Sequence, residues 1–244
     1  MASYVSGQVR IHFREVGDGF PLLLVHGWGA SGAEWDEYGW LAALRGRRLL
    51  VPDVRGHGAS DRPFEPAAYE MDQLARDVIA LADAVGASTF DLFGYSMGAA
   101  IALWTAVLDP GRVRALIAGG VTGESPDGAR ALARELRGEL PLSARGRTYR
   151  DYALKANPDG LDALIACLES GLPTPPCAEL AVFGGEALLF AGDLDRRAEH
   201  TRAVASCLPG GRFLLLPGLD HMGAFGDPRA HRAVDAFLGE VADT

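Results

Sequence analysis

The chain has few of the residues that would mark it as a special-purpose scaffold. Among its 244 residues there are three cysteines, Cys167, Cys177 and Cys207. The number is odd and the spacings match no metal or disulfide framework, so the sequence predicts reduced packing cysteines in a cytoplasmic protein. No apolar run approaches the roughly 20 residues needed to span a bilayer, and Met1–Arg10 lacks the basic start and apolar stretch of a signal peptide. Positive charge is also scarce: the formal net charge is −9, which repels phosphate backbones and anionic lipid surfaces. The densest basic patch, Arg45-Gly46-Arg47-Arg48, reads as a solvated loop before a strand. No partner of nucleic acid or membrane type is expected. There is no metal-ligand spacing, and no Gly-x-Gly-x-x-Gly follows a strand to suggest a dinucleotide.

What is present is an ordinary globular composition, 48% hydrophobic and 23% charged, at a length suited to one domain with a small inserted lobe. Two short strands are predicted over Tyr4–Val9 and Val9–Val16. Leu22-Leu23-Leu24-Val25 is a continuous apolar run of the kind that is buried on both faces of a parallel sheet. Ser31, with Glu34 three residues on, reads as a capping box opening one helix through Arg45. The pattern then alternates: a strand at Leu49–Val51, a helix over Met71–Val85, a strand at Phe90–Phe93, a helix over Met97–Leu108 and a strand at Val113–Ala118. Such alternation predicts an α/β fold with a doubly wound, mostly parallel sheet flanked by helices. From Glu124 to Cys177 the strand pattern lapses into a helical, polar stretch broken by prolines. It resumes with a strand at Ala187–Ala191, a helix over Arg196–Cys207, a strand at Phe213–Leu216 and a helix over Pro228–Val241. The core is therefore expected as residues 1–123 and 178–244, with a short helical cap insertion over 124–177.

Gly94-Tyr95-Ser96-Met97-Gly98 falls between an apolar strand and a helix, which is the setting of a nucleophile elbow. A serine hydroxyl needs a base to act as a nucleophile at neutral pH. Of the six histidines, His221 follows the last strand at the C-terminal edge of the sheet, where ligands bind in open α/β folds. His57 is the rival base, and His12, His200 and His231 read as structural or surface groups. The base needs a carboxylate. Gly192-Asp193-Leu194-Asp195 offers two; an acid directly at the strand end often braces the loop, while one two residues further on can reach across, so Asp195 is preferred, with Asp193 and, more distantly, Glu124 as the alternatives. Two backbone amides suit an oxyanion: Met97, at a helix start, and Trp28, in His26-Gly27-Trp28-Gly29 after the Leu22–Val25 strand. His26, Tyr95 and Met222 are expected at the substrate pocket. Asp53, Arg55, His57 and Asp61 form a charged loop cluster that reads as a self-bonded brace.

Taken in order, His26-Gly27-Trp28-Gly29, Asp53-Val54-Arg55-Gly56-His57-Gly58-Ala59-Ser60, the Ser96 pentapeptide, Gly192–Asp195 and His221 resemble the landmarks of the α/β-hydrolase fold superfamily. The resemblance covers nearly the whole chain except the insertion. It implies that the Gly-x-x-Asp residue, Asp195, is the triad acid and that the Asp53–Ser60 loop is structural. It also implies a cofactor-independent enzyme acting on a small-molecule acyl substrate, an ester, lactone or thioester, through an acyl-enzyme on Ser96. Epoxide hydrolases and dehalogenases of the superfamily carry Asp where this chain has Ser96; haloperoxidase-type members share the serine triad. Tyr95 beside the serine is similar to a menaquinone-pathway lyase, but Ala99, Ala100 and Ile101 stand where that enzyme is expected to carry an arginine. The alternatives are thus a lyase or carbon–carbon bond hydrolase, which inward arginines such as Arg130, Arg134 or Arg137 would favour, and a non-catalytic ligand receptor on the same scaffold. Leu136, Leu140, Leu142, Tyr149, Tyr152 and Leu164 are expected to line the cap side. Oligomeric state is not readable.

Overall fold

A computed structural model describes residues 2–122 and 125–242. Glu124, the third candidate acid and first residue of the expected insertion, lies outside them. The strands form one eight-stranded sheet in the order β1-β2-β4-β3-β5-β6-β7-β8. β1 (Ala2–Ser6) and β2 (Val9–Val16) pair antiparallel, and β2 pairs antiparallel with β4 (Arg48–Pro52). β3 (Pro21–Val25), β5 (Phe90–Tyr95), β6 (Val113–Gly119), β7 (Glu186–Gly192) and β8 (Gly210–Leu216) continue the sheet in parallel. This is the doubly wound, mostly parallel sheet that the alternating pattern predicted.

The apolar strands are buried on both faces because successive side chains point to opposite sides. Leu23, Val25, Leu92, Leu116 and Leu189 face one core layer, shared with α3 (Met71–Ala84) and α4 (Met97–Leu108). Leu22, Leu24, Phe93, Ile117 and Phe190 face the other, shared with α11 (Pro228–Ala242) and the Trp35–Trp40 region. A continuous run such as Leu22–Val25 can only be stable where both layers are covered.

The helix expected from Ser31 through Arg45 is two short ones, α1 (Glu34–Glu37) and α2 (Trp40–Ala43). Gly39, at φ 79°, breaks them. Ser31 does not form the expected capping box; Ala33 is the N-cap and makes no side-chain cap. The separation buries Trp35 and Trp40 together, ring centroids 6.1 Å apart.

Between β6 and β7 the chain is helical: α5 (Pro126–Leu136), α6 (Ala144–Ala156), α7 (Leu161–Glu169) and α8 (Cys177–Leu180). Asn157, fully buried, ends α6 and ties it to the sheet-edge loops. Its Nδ2 donates to the Gly29 carbonyl at 2.8 Å, and its Oδ1 accepts from the Gly58 amide at 2.7 Å.

The expectation of three reduced cysteines is corrected. Cys177, opening α8, and Cys207, closing α9 (Ala198–Cys207), form a disulfide across a sequence separation of 30. The sequence spacing concealed the pairing because the two helix ends meet only once β7 has been laid into the sheet between them. Cys167 is the free, buried thiol. No helix among the described residues is long and apolar enough to cross a membrane.

Candidate active site

β5 runs straight into the turn that presents Ser96. Its backbone sits at φ 56°, ψ −116°, a region that L-residues rarely occupy. Ser96 is the N-cap of α4, yet its side chain makes no capping bond, so Oγ is left for the cavity above. The flanking glycines allow the tight passage. A Cβ on Gly98 would collide with the Val25 carbonyl, and one on Gly94 with the Gly98 carbonyl. The strained turn is held by the Ser96 amide donating to the Gly119 carbonyl at 2.9 Å.

His221 begins α10 (His221–Gly226), a short helix capped by the Asp220 side chain. Its Nδ1 lies 2.6 Å from Asp195 Oδ2. Asp195 is almost fully enclosed, its side chain 1% exposed. Burial pushes the Asp195 carboxyl up, but the His221 hydrogen bond and charge, the Arg197 amide and the Arg197 guanidinium together hold it below the usual range. Burial likewise pulls His221 below its ordinary value, opposed by Asp195 and reinforced by Arg197. Asp193 is spent elsewhere: it accepts from the amides of Gly218 at 2.7 Å and Leu219 at 3.3 Å, bracing the loop that leads to His221. The two aspartates thus divide between loop and imidazole, and Asp195 is the one the structure brings to His221.

Ser96 and His221 line one cavity of about 370 Å³. Gly27, Trp28, Met97, Tyr95 and Met222 line it too. Among the described residues the Trp28 and Met97 amides donate to no protein acceptor. The Trp28 indole bonds the Leu164 carbonyl at 2.9 Å, fixing the loop against α7.

Several sequence expectations are redirected. His26 does not line the cavity. It is fully buried, its Nδ1 against the Gly27 carbonyl and its Nε2 accepting the Val54 amide at 3.0 Å. The residue lies beneath the loop and shapes it, because the turn at Gly27 folds the ring inward. Tyr95 does line the cavity, but its hydroxyl is spent on the His221 carbonyl. His57, the rival base, is fully buried and packs edge-on against His26; burial and its neighbour pull its pKa to about 3. The charged loop is a brace, but it bonds mostly to β2, α3 and the turn at Gly32 rather than to itself as expected, because its side chains point at those neighbours; of the partners that follow, Ala59 alone lies within the loop. Asp53 accepts from His12, Gly32 and Ala59; Arg55 grips Asp77 through two bonds of 2.6 Å; Asp61 pairs with Arg10. His231 packs on Trp40 at 4.4 Å, and His200 lies 3.5 Å from Thr174.

On the helical side Tyr149 and Tyr152 line the cavity, joined by Leu132, Leu168 and Leu172 rather than by Leu136, Leu140, Leu142 or Leu164. Leu164 is consumed in the core and Leu136 packs against it. Arg130, Arg134 and Arg137 turn outward to pair with Asp127, Glu139 and Glu169. The arginines that do line the cavity are Arg145, Arg196 and Arg197. Arg197 is 7% exposed, 3.6 Å from Asp195, and donates to the Tyr149 hydroxyl at 2.9 Å. Sequence reasoning missed it, although its place two residues after Asp195 was a usable signal. It also missed Glu34 as a cavity residue, having read it as a helix cap.

A sequence model described as the alpha/beta hydrolase fold matches residues 21–168. The chain is 34% identical over 125 residues to the 2-hydroxymuconate semialdehyde hydrolase of Pseudomonas sp. (strain CF600), covering 50% of this chain and 43% of that protein. It is 37% identical over 97 residues to the non-heme chloroperoxidase of Streptomyces lividans, covering 39% and 34%. The aligned part of the chain thus spans less than half the length of these curated relatives. Among solved structures, a hydrolase from Pseudomonas aeruginosa PA01 superposes with a TM-score of 0.80 at 25% identity over 98% of each chain. The enol-lactonase from Burkholderia xenovorans LB400 does so at 0.80 and 20% identity over the full length of both. With the sheet order, the strained serine turn and the matched segment in agreement, the chain belongs to the alpha/beta hydrolase fold family.

Proposed function

We propose that this protein is a serine hydrolase that cleaves a small ester, lactone or thioester through an acyl-enzyme on Ser96. The observation that carries the reading is His221, bonded to the buried Asp195, lining one cavity with a serine held at positive φ and kept free of capping. In this reading Ser96 Oγ attacks the substrate carbonyl carbon while His221 Nε2 takes its proton. Asp195 holds the imidazole through Nδ1 and stabilises the imidazolium. The oxyanion rests on the Trp28 and Met97 amides, whose alignment costs no reorganisation at the moment of attack. Collapse expels the alcohol or thiol, which leaves with the proton from His221. Water then repeats the sequence on the acyl-enzyme, with His221 again as base, and releases the acid and free Ser96.

The helices α5 to α7 serve in this reading as the cap, the insertion expected over residues 124–177 and set between β6 and β7. The mechanism asks nothing of a cofactor. The test is Ser96→Ala assayed with p-nitrophenyl butyrate. Turnover is expected to fall by about 10⁴-fold or more with the fold intact by circular dichroism; full turnover in the variant would overturn the mechanism.

One observation favours a second reading, carbon–carbon bond hydrolysis by the same residues. Arg145, Arg196 and Arg197 put positive charge into the cavity of a net-acidic chain, which suits a substrate bearing a carboxylate. The similarity to a 2-hydroxymuconate semialdehyde hydrolase points the same way. A vinylogous 1,5-diketone acid turned over faster than any simple ester, with loss in Arg197→Gln, would favour this reading.

A further inference from the structure

The hydrolytic chemistry leaves one buried carboxyl of the cavity unused. Glu34 stands at the start of α1, is 8% exposed, and lines the cavity with Ser96 and His221. Its Oε1 accepts the hydroxyl of Tyr152, which reaches down from α6. No ion-pair partner is found for it among the described residues; the nearby Lys155 pairs with Glu37 at 3.7 Å instead. Tyr152 thus takes one of the two Glu34 oxygens. The apolar part of the lining comes from Trp28, Leu132, Leu168, Leu172 and Met222.

Burying a carboxyl without a cation is costly, and a tie to Tyr152 does not require one. A glutamine would accept the same phenol without the penalty. A group that is costly for the fold and open to a ligand cavity is a functional candidate on physical grounds. The rest of the cavity narrows what it takes. Arg145, Arg196 and Arg197 repel an ammonium and would themselves satisfy a ligand carboxylate. What remains for Glu34 is a neutral hydrogen-bond donor.

We propose that Glu34, held in place by Tyr152, is a specificity-determining residue that accepts a hydrogen bond from a hydroxyl group carried by the substrate away from its scissile carbonyl. The cavity then selects hydroxylated esters or lactones over unsubstituted ones. A site built to bond a hydroxyl discriminates strongly against the analogue without it, because the protein group is left unpaired. This deepens the hydrolase reading and rests on it only for the position of the scissile bond.

Burial pushes the Glu34 carboxyl up to about 7, opposed by the Tyr152 hydrogen bond and Lys155 and reinforced by Glu37. The other groups facing it are Tyr38, beside α1, and Tyr95, from β5. The ionised form is the stronger acceptor, so the preference grows as pH rises from 6 to 8. A ratio of two substrates cancels the titration of His221, which both share.

The experiment pairs methyl butanoate with methyl 3-hydroxybutanoate, and with 2-hydroxyethyl butanoate for a hydroxyl on the leaving side. Turnover is followed by acid release, and binding to Ser96→Ala protein by calorimetry. At least one hydroxylated ester is expected to be preferred by about ten- to a hundredfold, the range of a hydrogen bond to a charged group. Glu34→Leu should abolish the preference, and Glu34→Gln, which keeps the Tyr152 tie, should reduce it and remove its pH dependence. Equal loss for plain and hydroxylated esters in both variants would reduce Glu34 to a structural tie and overturn the proposal, as would no preference in the wild type. The binding arm separates the two claims. A binding preference without turnover sinks the hydrolase reading alone, and turnover without preference sinks this one alone.

Discussion

The imidazole of His221 lies directly against Gly120. A Cβ built on Gly120 would come within 2.7 Å of His221 Cε1 and 2.8 Å of Nδ1, the atom that holds Asp195. Gly120 is also at φ +53°, where a side chain costs about 1–2 kcal/mol. Gly120→Ala is therefore expected to displace the ring, lowering kcat on p-nitrophenyl butyrate by on the order of 100-fold, the effect of a misplaced reacting group. The melting temperature should fall by only a few degrees. Undiminished kcat would show that the ring has room to move without consequence.

Asp193 and Asp195 are two residues apart and bond to different things. Asp195→Asn should leave the fold intact and reduce kcat by on the order of 10⁴-fold, because an amide cannot stabilise the imidazolium or hold its tautomer. Asp193→Asn loosens a loop brace on the Gly218 and Leu219 amides. It should cost about 1 kcal/mol of stability and less than tenfold in kcat. Steady-state kinetics of the pair, beside thermal melts, checks the assignment; the reverse ranking would exchange the two roles.

The pH profile follows from the sign of the His221 shift. Burial, aided by Arg197, lowers its pKa below 6.5 despite the Asp195 carboxylate. The base must be neutral to take the Ser96 proton, and a lowered pKa keeps it neutral further into acid. The acid limb of kcat/KM on a plain ester should therefore have its midpoint below pH 6.5, with the free enzyme fully competent at pH 7.5. Arg197→Gln removes a nearby positive charge and should move that midpoint upward. A downward move would contradict the electrostatic role given to Arg197.

The Cys177–Cys207 bond closes a loop of 30 residues that carries β7. Loop-closure entropy for that length is worth about 3–4 kcal/mol. Cys177→Ser with Cys207→Ser should lower the melting temperature by roughly 10 °C for a chain of this size, with plain-ester kcat within about twofold, since neither sulfur lines the cavity. A reductant should reproduce the shift in the native protein and leave the double variant unmoved. Equal melting of the two proteins would deny the bond any stabilising part.

The layout of the sheet was legible in the linear chain because it is written in local periodicity. Leu22–Val25 and Ala187–Ala191 are apolar at every position, and Phe90–Phe93 at all but Asp91, which pairs with Arg114; only a strand covered on both faces buries such a run. Ser96 was legible because two glycines and a strand–helix junction are sequence-local, and the structure supplies the reason for each glycine in the carbonyls a Cβ would strike. The break at Gly39 was in principle visible too, but the apparent capping box of Ser31 and Glu34 outweighed a single glycine.

The sequence by itself determined the strands, their order along the chain and the chemistry-bearing residues at the strand ends, since these depend on neighbours a few positions away. Tertiary structure alone decided what those residues touch. Asp195 rather than Asp193 meets His221, His26 turns beneath the loop, Arg197 lines the cavity where Arg130 does not, and Cys177 finds Cys207. Glu34 shows the difference most sharply. In the chain it sits three residues after a serine and reads as a cap. In the fold a phenol from α6, 118 positions away, takes one of its oxygens, and the side chain joins Ser96 in lining the cavity. No local pattern encodes that meeting, because it exists only when the sheet has brought α1 and α6 to the same edge.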